Sequence, residues 1–397
     1  MSFSKSKLFL RFYNIFAHSS SMFLPNVTNI LTSAIIIRLL VPEWWGQITI
    51  LQLYMYLGTQ ICAWGNRDSL VKSFSENPSK SMFLWMESFS HRLFLLLPVL
   101  AGTYFISPDF ISILYLSGWI ILRYFMQSFE AIILFSRNFI VSILAEITGL
   151  IVTISSLVLF KNIVTFHDVL LIITMGYFIK TVILIIHFRT YFSFNFSVKP
   201  NFKKLLPFLP FMMIGFLGVM QQKSDMISIA WLSSKIEVAQ YQVFSSFLLF
   251  MQSIPGLIIG PYIKNLYRLS PSSYSKLQRF FTVIGLIISL VGTIAIYFAI
   301  KIIYHFDFPF TMYFLGFLYG FFTYFYMLKI YIMFKNQKQQ QVMIINAATI
   351  LLNFILCFIF IHIWSLQGAI LANVMTQLSI YLVYNYYLKN NLAKNYH

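Results

Sequence analysis

The chain has 397 residues, 59% of them hydrophobic and 10% charged, where soluble domains average roughly 25% charged residues. A water-soluble fold is excluded, and the short connections between the apolar runs leave no segment that could form a soluble domain. The net charge of +17 would suggest nucleic acid in a soluble protein, but here its placement makes it a topology signal, and no nucleic-acid partner is expected.

Apolar runs long enough to cross a hydrocarbon core predict helices near 20–40, 47–64, 92–107, 110–134, 139–160, 169–187, 207–232, 238–260, 280–301, 309–329, 342–363 and 368–387. The expected fold is therefore an all-α polytopic membrane protein with about twelve transmembrane helices. The N-terminal MSFSKSKLFLRFYNIF has no short apolar core followed by a small-residue cleavage site, so the first helix is expected to stay. In that helix Pro25 sits early, and Asn26, Asn29 and Ser33 fall at i, i+3 and i+7 on one face, which should look inward. Hydrogen bonding between helices would explain them equally well. Arg38 lies near the outer end.

The second helix runs into WGNRDSLVKSF, with Arg67, and the third is short and follows the polar stretch FSENPSKSM. The fourth carries Arg123 and Glu130, seven residues apart on one face but about 10 Å apart along the axis, so they can meet only through a partner or water. Glu146 lies in the fifth helix. Lys180 lies in the sixth, where it either faces substrate or snorkels to the cytoplasmic end. Pro207 and Pro210 open the seventh helix, which then holds Gln221, Gln222, Lys223, Ser224 and Asp225 in succession. Consecutive polar residues point in every direction around a helix, so part of this stretch should border an aqueous cavity; neighbouring helices that satisfy Lys223 and Asp225 are the alternative. Cys62 and Cys357 sit in apolar stretches without metal-like spacing, so neither a disulfide nor a metal is expected, and no cofactor.

Orientation follows from Lys and Arg in the loops. Lys5, Lys7, Arg11, Arg67, Lys72, Lys80, Arg92, Arg137, Arg189, Lys199, Lys203, Lys204, Lys264, Arg268, Lys276, Arg279, Lys329, Lys335, Lys338, Lys389 and Lys394 fall on the side that holds both tails, against Lys161, Lys235 and Lys301 opposite. The positive-inside rule places both termini in the cytoplasm. The long basic stretch 191–206 divides the chain into an N-terminal six-helix lobe, 1–190, and a C-terminal one, 207–397. Proline-bearing helices open both halves, and paired interruptions of this kind point to a transporter with internal repeats; with six helices per half the repeat is parallel.

A charge at bilayer depth costs from about 3 kcal/mol upward, so Arg38, Arg123, Glu130, Glu146, Lys180, Lys223 and Asp225 each need a partner, a wet cavity or a route to the interface. Arg123, Lys180 and Lys223 give such a cavity basic character. Arginine offers paired hydrogen bonds to phosphate and lysine a point charge, which suits a pyrophosphate headgroup, while Asp225, Glu130 or Glu146 could carry a coupling ion. Phosphate-loop, zinc-type and nucleophile-elbow motifs are missing from the sequence, so an enzyme is not expected and any driving energy should come from gradients.

Several stretches resemble one family. IIIRLLVPEWWGQITILQLYMYL, 35–57, is similar to the Arg-Leu-Leu-Gly-Pro-Glu-x-Tyr-Gly turn of polysaccharide and O-antigen flippases of the multidrug/oligosaccharidyl-lipid/polysaccharide exporter superfamily, with Val41 for the glycine and Trp45 for the tyrosine. WGNRDSLVKSF resembles the family's Gly-x-x-x-x-Arg segment, with the arginine early. KSDMISIAWLSSKIEVAQYQVFSSFLLFMQSIPGLIIGPYIKNL resembles the Asp-containing seventh helix, the following Val-Gly-x-Tyr turn and the Pro-terminated eighth helix.

The resemblance implies a MATE-like bundle of two lobes that alternates access. It would move undecaprenyl-pyrophosphate-linked oligosaccharide, an O-antigen repeat unit, from the cytoplasmic to the periplasmic leaflet of a bacterial inner membrane. Arg38, Arg67 and Asp225 fall on family-like positions; the other expected substrate contacts, Arg123, Lys180, Lys223, Asn26, Asn29, Gln221 and Gln222, come from helix position. An O-antigen polymerase and a chain-length regulator are the expected protein partners, the bilayer the surrounding one. The rival readings are a multidrug or small-solute exporter of the same fold and an O-antigen polymerase, the latter disfavoured by outer loops of only about eight residues.

Overall fold

The computed structural model describes residues 2–106, 109–162, 164–192, 203, 205–259, 266, 271–336 and 338–394, and is helical throughout. Residues 193–202 and 204 of the connector lie outside the described residues, as do Lys199, Lys204, Lys264 and Arg268 of the cytoplasmic set. The chain divides into two compact units, Met1–Trp44 with Ile48–Val219 and Trp45–Gln47 with Met220–His397. Eight segments among the described residues are long and apolar enough to cross a membrane.

The N-terminal unit is built from α1 (Ser2–Leu39), α2 (Pro42–Ala63), α3 (Asn66–Glu76), α4 (Ser81–Leu93), α5 (Leu96–Thr103), α6 (Phe110–Ser136), α7 (Phe139–Phe160) and α8 (Phe166–His187). Its punctuation is local chemistry. Pro42 enters the first turn of α2 behind an extended Val41, a position where proline's missing amide goes unnoticed. Trp64 and Gly65, both left-handed at φ 47° and 67°, stop α2, and the Trp64 indole donates to the Leu205 carbonyl at 2.9 Å. Asp109 accepts from the Ile111 and Ser112 amides to start α6, and Thr165 with Asp168 forms a capping box for α8.

Three sequence expectations change here. α1 begins at Ser2, so Pro25 lies deep inside it rather than early. α3, not foreseen, follows the Trp64–Gly65 turn. The third span opens well before residue 92: a 3₁₀ turn at Pro78–Lys80 leads into α4, because Trp85, Met86 and Phe89 give polar-looking residues 81–92 one apolar face. Between α4 and α5 the ladder tightens, with Leu95 N donating to Arg92 O and Leu97 N to Phe94 O. Pro98 is the cause, since it has no amide for the Phe94 carbonyl four residues back.

The C-terminal unit holds α9 (Leu209–Leu232), α10 (Lys235–Ile259), α11 (Pro271–Ala299), a π turn at Ile300–Tyr304, α12 (Phe310–Lys335) and α13 (Gln339–Lys394). The division between the units falls inside α9. Pro210 sits in the first turn of α9, where it fits, and Pro207 in the 3₁₀ turn before it. α13 is two helices across a break at Trp364 and Ser365 (φ 48°, ψ −128°). The break draws the chain so tight that a Cβ on Gly368 would collide with the Phe360 carbonyl. With α4 and α5 counted as one span and α13 as two, the described residues hold twelve helices of spanning length.

Candidate functional site

In the N-terminal unit the close approach of α7 and α8 sets the geometry. A Cβ on Gly149 would strike the Lys180 side chain, and one on Gly176 would strike Thr153 Oγ1. Across this small-residue seam Lys180 Nζ donates to Glu146 Oε1 at 2.6 Å, with the two side chains 8% and 9% exposed. Lys180 therefore does not snorkel. It lies buried against its counter-ion, as expected of two charges that would be very costly to bury singly.

Beside the pair lies a small polar cavity of ≈ 60 Å³, lined among others by Asn29, Gln52, Tyr56, Arg123, Tyr177 and both members of the pair. The Arg123 guanidinium stacks over Tyr56, 4.8 Å from the ring centroid, and its Nε has no hydrogen-bond partner. The cavity thus joins an engaged cation to one with donor capacity left, in room for a handful of waters. An oligosaccharide pyrophosphate would need it to widen.

Of the other residues expected to contact substrate or ion in this unit, Asn29 lines that cavity and Asn26, Arg38, Arg67 and Glu130 do not. Asn26 is exposed, whereas Asn29 lines the cavity and Ser33 is buried and donates to the Ile30 carbonyl; the shared face of α1 is covered unevenly along its length. Arg38 is exposed in the last turn of α1, where a cation complements the helix dipole. Arg67 is exposed in the first turn of α3, and Glu130 is half-buried on α6.

In the C-terminal unit the polar run of α9 is graded. Gln222 is exposed, Gln221 and Lys223 are half-buried, and Ser224 and Asp225 are buried. Asp225 is the centre of a hydrogen-bond network. It accepts from Tyr241 Oη at 2.5 Å, Asn373 Nδ2 at 2.7 Å and the Met226 amide at 2.7 Å. Asn373 in turn accepts from Asn353 Nδ2 at 2.7 Å, and the Cys357 thiol donates to Asn353. These residues come from α9, α10 and both halves of α13, so one carboxylate ties four helical segments together. A buried carboxylate surrounded by movable donors and acceptors is suited to exchange between a proton, a cation and hydrogen bonds.

In sequence the chain matches no family profile and no curated protein. In structure it aligns with the lipid II flippase MurJ in an inward closed conformation at TM-score 0.66 and 13% identity, over 94% of this chain and 87% of that one. An inward-facing MATE multidrug resistance transporter of the MOP superfamily aligns at TM-score 0.59 and 9% identity, over 95% and 98%. The MATE multidrug transporter DinF-BH aligns at 0.54 and 14%, over 95% and 94%. The fold is MATE-like. A multi-pass membrane protein follows, and MATE-like architecture over nearly the whole chain accounts for the helix count.

Two buried charges escaped the sequence reading, which put both in cytoplasmic loops. Arg92 is 1% exposed within the third span. Lys329, 8% exposed on α12, donates to Asn385 Oδ1 at 3.0 Å and stacks on Tyr381, 4.2 Å from the ring centroid. Helical spacing holds a signal for Arg92, because Trp85, Ser88, Phe89 and Arg92 share one face at i, i+3, i+4 and i+7.

Proposed function

We propose that this protein is a flippase for an undecaprenyl-pyrophosphate-linked oligosaccharide, an O-antigen repeat unit, which it moves from the cytoplasmic to the periplasmic leaflet of the inner membrane by alternating access. Both termini lie in the cytoplasm, and a polymerase and a chain-length regulator act on the product. The observation that carries this reading is the polar cavity of the N-terminal unit, where Arg123 keeps an unpartnered donor beside the Lys180–Glu146 pair. Guanidinium and ammonium groups in a buried polar cavity suit a phosphate-bearing headgroup.

The headgroup reaches Arg123 and Lys180 when the cavity widens, and its phosphates then compete with Glu146 for Lys180. Lys223, Gln221 and Gln222 are the substrate-binding residues assigned to the C-terminal unit, considered by itself. Asp225 carries the coupling ion, because its network can exchange a hydrogen bond for a cation or proton at little cost in unsatisfied groups. The lipid tail remains in the bilayer. A second reading, a small-solute exporter, is favoured by the ≈ 60 Å³ size of the cavity and by two multidrug transporters among the structural relatives.

The test is gene deletion with plasmid complementation, followed by assay of lipid-linked repeat units in right-side-out spheroplasts. Loss of surface polysaccharide with complete repeat units confined to the cytoplasmic leaflet is the expected result. Repeat units that reach the outer leaflet normally contradict a flippase, and single units displayed unpolymerised indicate a polymerase.

A further inference from the structure

Arg92 lies near the middle of the third span, Pro78–Thr103, 1% exposed. Its Nε donates to Ser88 Oγ at 3.2 Å and its Nη2 to Ser128 Oγ at 3.4 Å, and the guanidinium sits 5.5 Å from the Tyr124 ring centroid. These are neutral partners, and Nη1 has none. The ion pairs of the N-terminal unit among the described residues lie elsewhere: Lys180 holds Glu146, Glu87 faces His91 at 3.8 Å and His167 faces Asp109 at 4.0 Å.

A second orphan lies on the same serine. Ser88 Oγ donates to Asn66 Oδ1 at 3.1 Å, so Asn66 and Arg92 flank one hydroxyl. Asn66 is 2% exposed, and its Nδ2 also lacks a partner. Asn66 is the first residue of α3, an eleven-residue helix whose N-terminus follows the left-handed Gly65 and receives no side-chain cap. Among the described residues, one cluster therefore combines a buried positive charge whose hydrogen-bond partners are all neutral with an unpartnered amide donor. Both attract negative charge, and a buried cation held only by neutral groups is among the most costly groups a fold can hold.

We propose that Arg92 and Asn66, at the N-terminus of α3, bind a small monovalent anion of the halide class, chloride in the cell. The ion supplies the missing counter-charge and locks α3 to α4 and α6. Burial at this depth keeps lipid headgroups out, and the site is separate from the Arg123 cavity, so it acts as structure and not as part of the translocation path.

The full chain, purified in detergent, is melted in sodium gluconate and in sodium chloride, bromide or sulfate at matched ionic strength. Expected is a Tm rise of a few degrees that saturates with chloride or bromide and does not appear with sulfate or gluconate. In Asn66→Asp the new carboxylate replaces the anion, so the Tm in gluconate reaches the parental chloride value and the halide response disappears. Arg92→Gln also loses the response; should it fail to fold, Asn66→Asp and an anomalous bromide signal between the two side chains decide. Identical parental melting in all four salts, or an unchanged halide response in Asn66→Asp, overturns the proposal.

Discussion

Lys180 and Glu146 illustrate what a single residue pair contributes. Removing one member leaves the other charged, buried and alone, which costs about 3–5 kcal/mol. Lys180→Met should therefore lower stability by that order in denaturant or thermal melts of the solubilised protein, and adding Glu146→Leu should restore most of it. A single variant as stable as the parent would show that the pair is not closed in the membrane. Arg123→Ala should behave differently: it removes a guanidinium with an unsatisfied Nε, so export should fall while melting changes little. Asp225→Asn keeps acceptor capacity but not charge, and should uncouple transport from the ion gradient while the protein still inserts. The sequence exposed these residues because each is a charge in an apolar run. It did not expose their partners, since pairing depends on the glycines at 149 and 176 that bring α7 and α8 together. Arg92 was missed because it follows the polar residues Ser88, Ser90 and His91, and Lys329 because its helix, expected to end there, continues to Lys335.

At the scale of helices, apolar runs marked where spans lie, and their ends depended on signals that hydropathy does not weigh. Trp64 and Gly65 end α2 by left-handed geometry, and Pro98 tightens the ladder just after Arg92. The break in α13 is the most exacting of these features. Ser365 Oγ donates to Glu237 Oε1 at 2.6 Å, and the other oxygen of Glu237 caps α10 by accepting from the Ser234 amide at 3.0 Å. Gly368→Ala would drive a methyl group into the Phe360 carbonyl, and strain of this kind costs about 1–3 kcal/mol. Reduced yield of folded protein and a lower Tm are expected, and a fully stable variant would contradict the geometry at the break. At the start of α6 the Ser112 hydroxyl, with the Ser112 and Ile111 amides, holds the Asp109 carboxyl below its usual value. The native state then binds fewer protons than the unfolded chain. This cap's contribution is present above the ordinary carboxylate pKa and is lost as pH falls through the depressed one, a loss that Asp109→Asn should remove from the acid limb of a stability profile.

For the whole molecule, helix number and class were legible because a succession of long apolar runs allows little else in a bilayer. What the chain transports was not, because substrate contacts are few and do not repeat with a helical period. The same MATE-like architecture occurs in a lipid II flippase and in multidrug transporters, so fold alone does not choose between a lipid-linked sugar and a drug. The choice rests on charge: a basic polar cavity in one unit and a buried carboxylate network in the other. Reconstitution of the purified protein into liposomes tests this most directly. Lipid-linked oligosaccharide pyrophosphate is placed on one leaflet, an ion gradient is imposed, and arrival on the other leaflet is read by an impermeant glycosidase. The account predicts gradient-dependent transfer that is lost in Arg123→Ala and no longer responds to the gradient in Asp225→Asn. Absence of transfer, with gradient-driven efflux of small organic cations from the same liposomes, would contradict it.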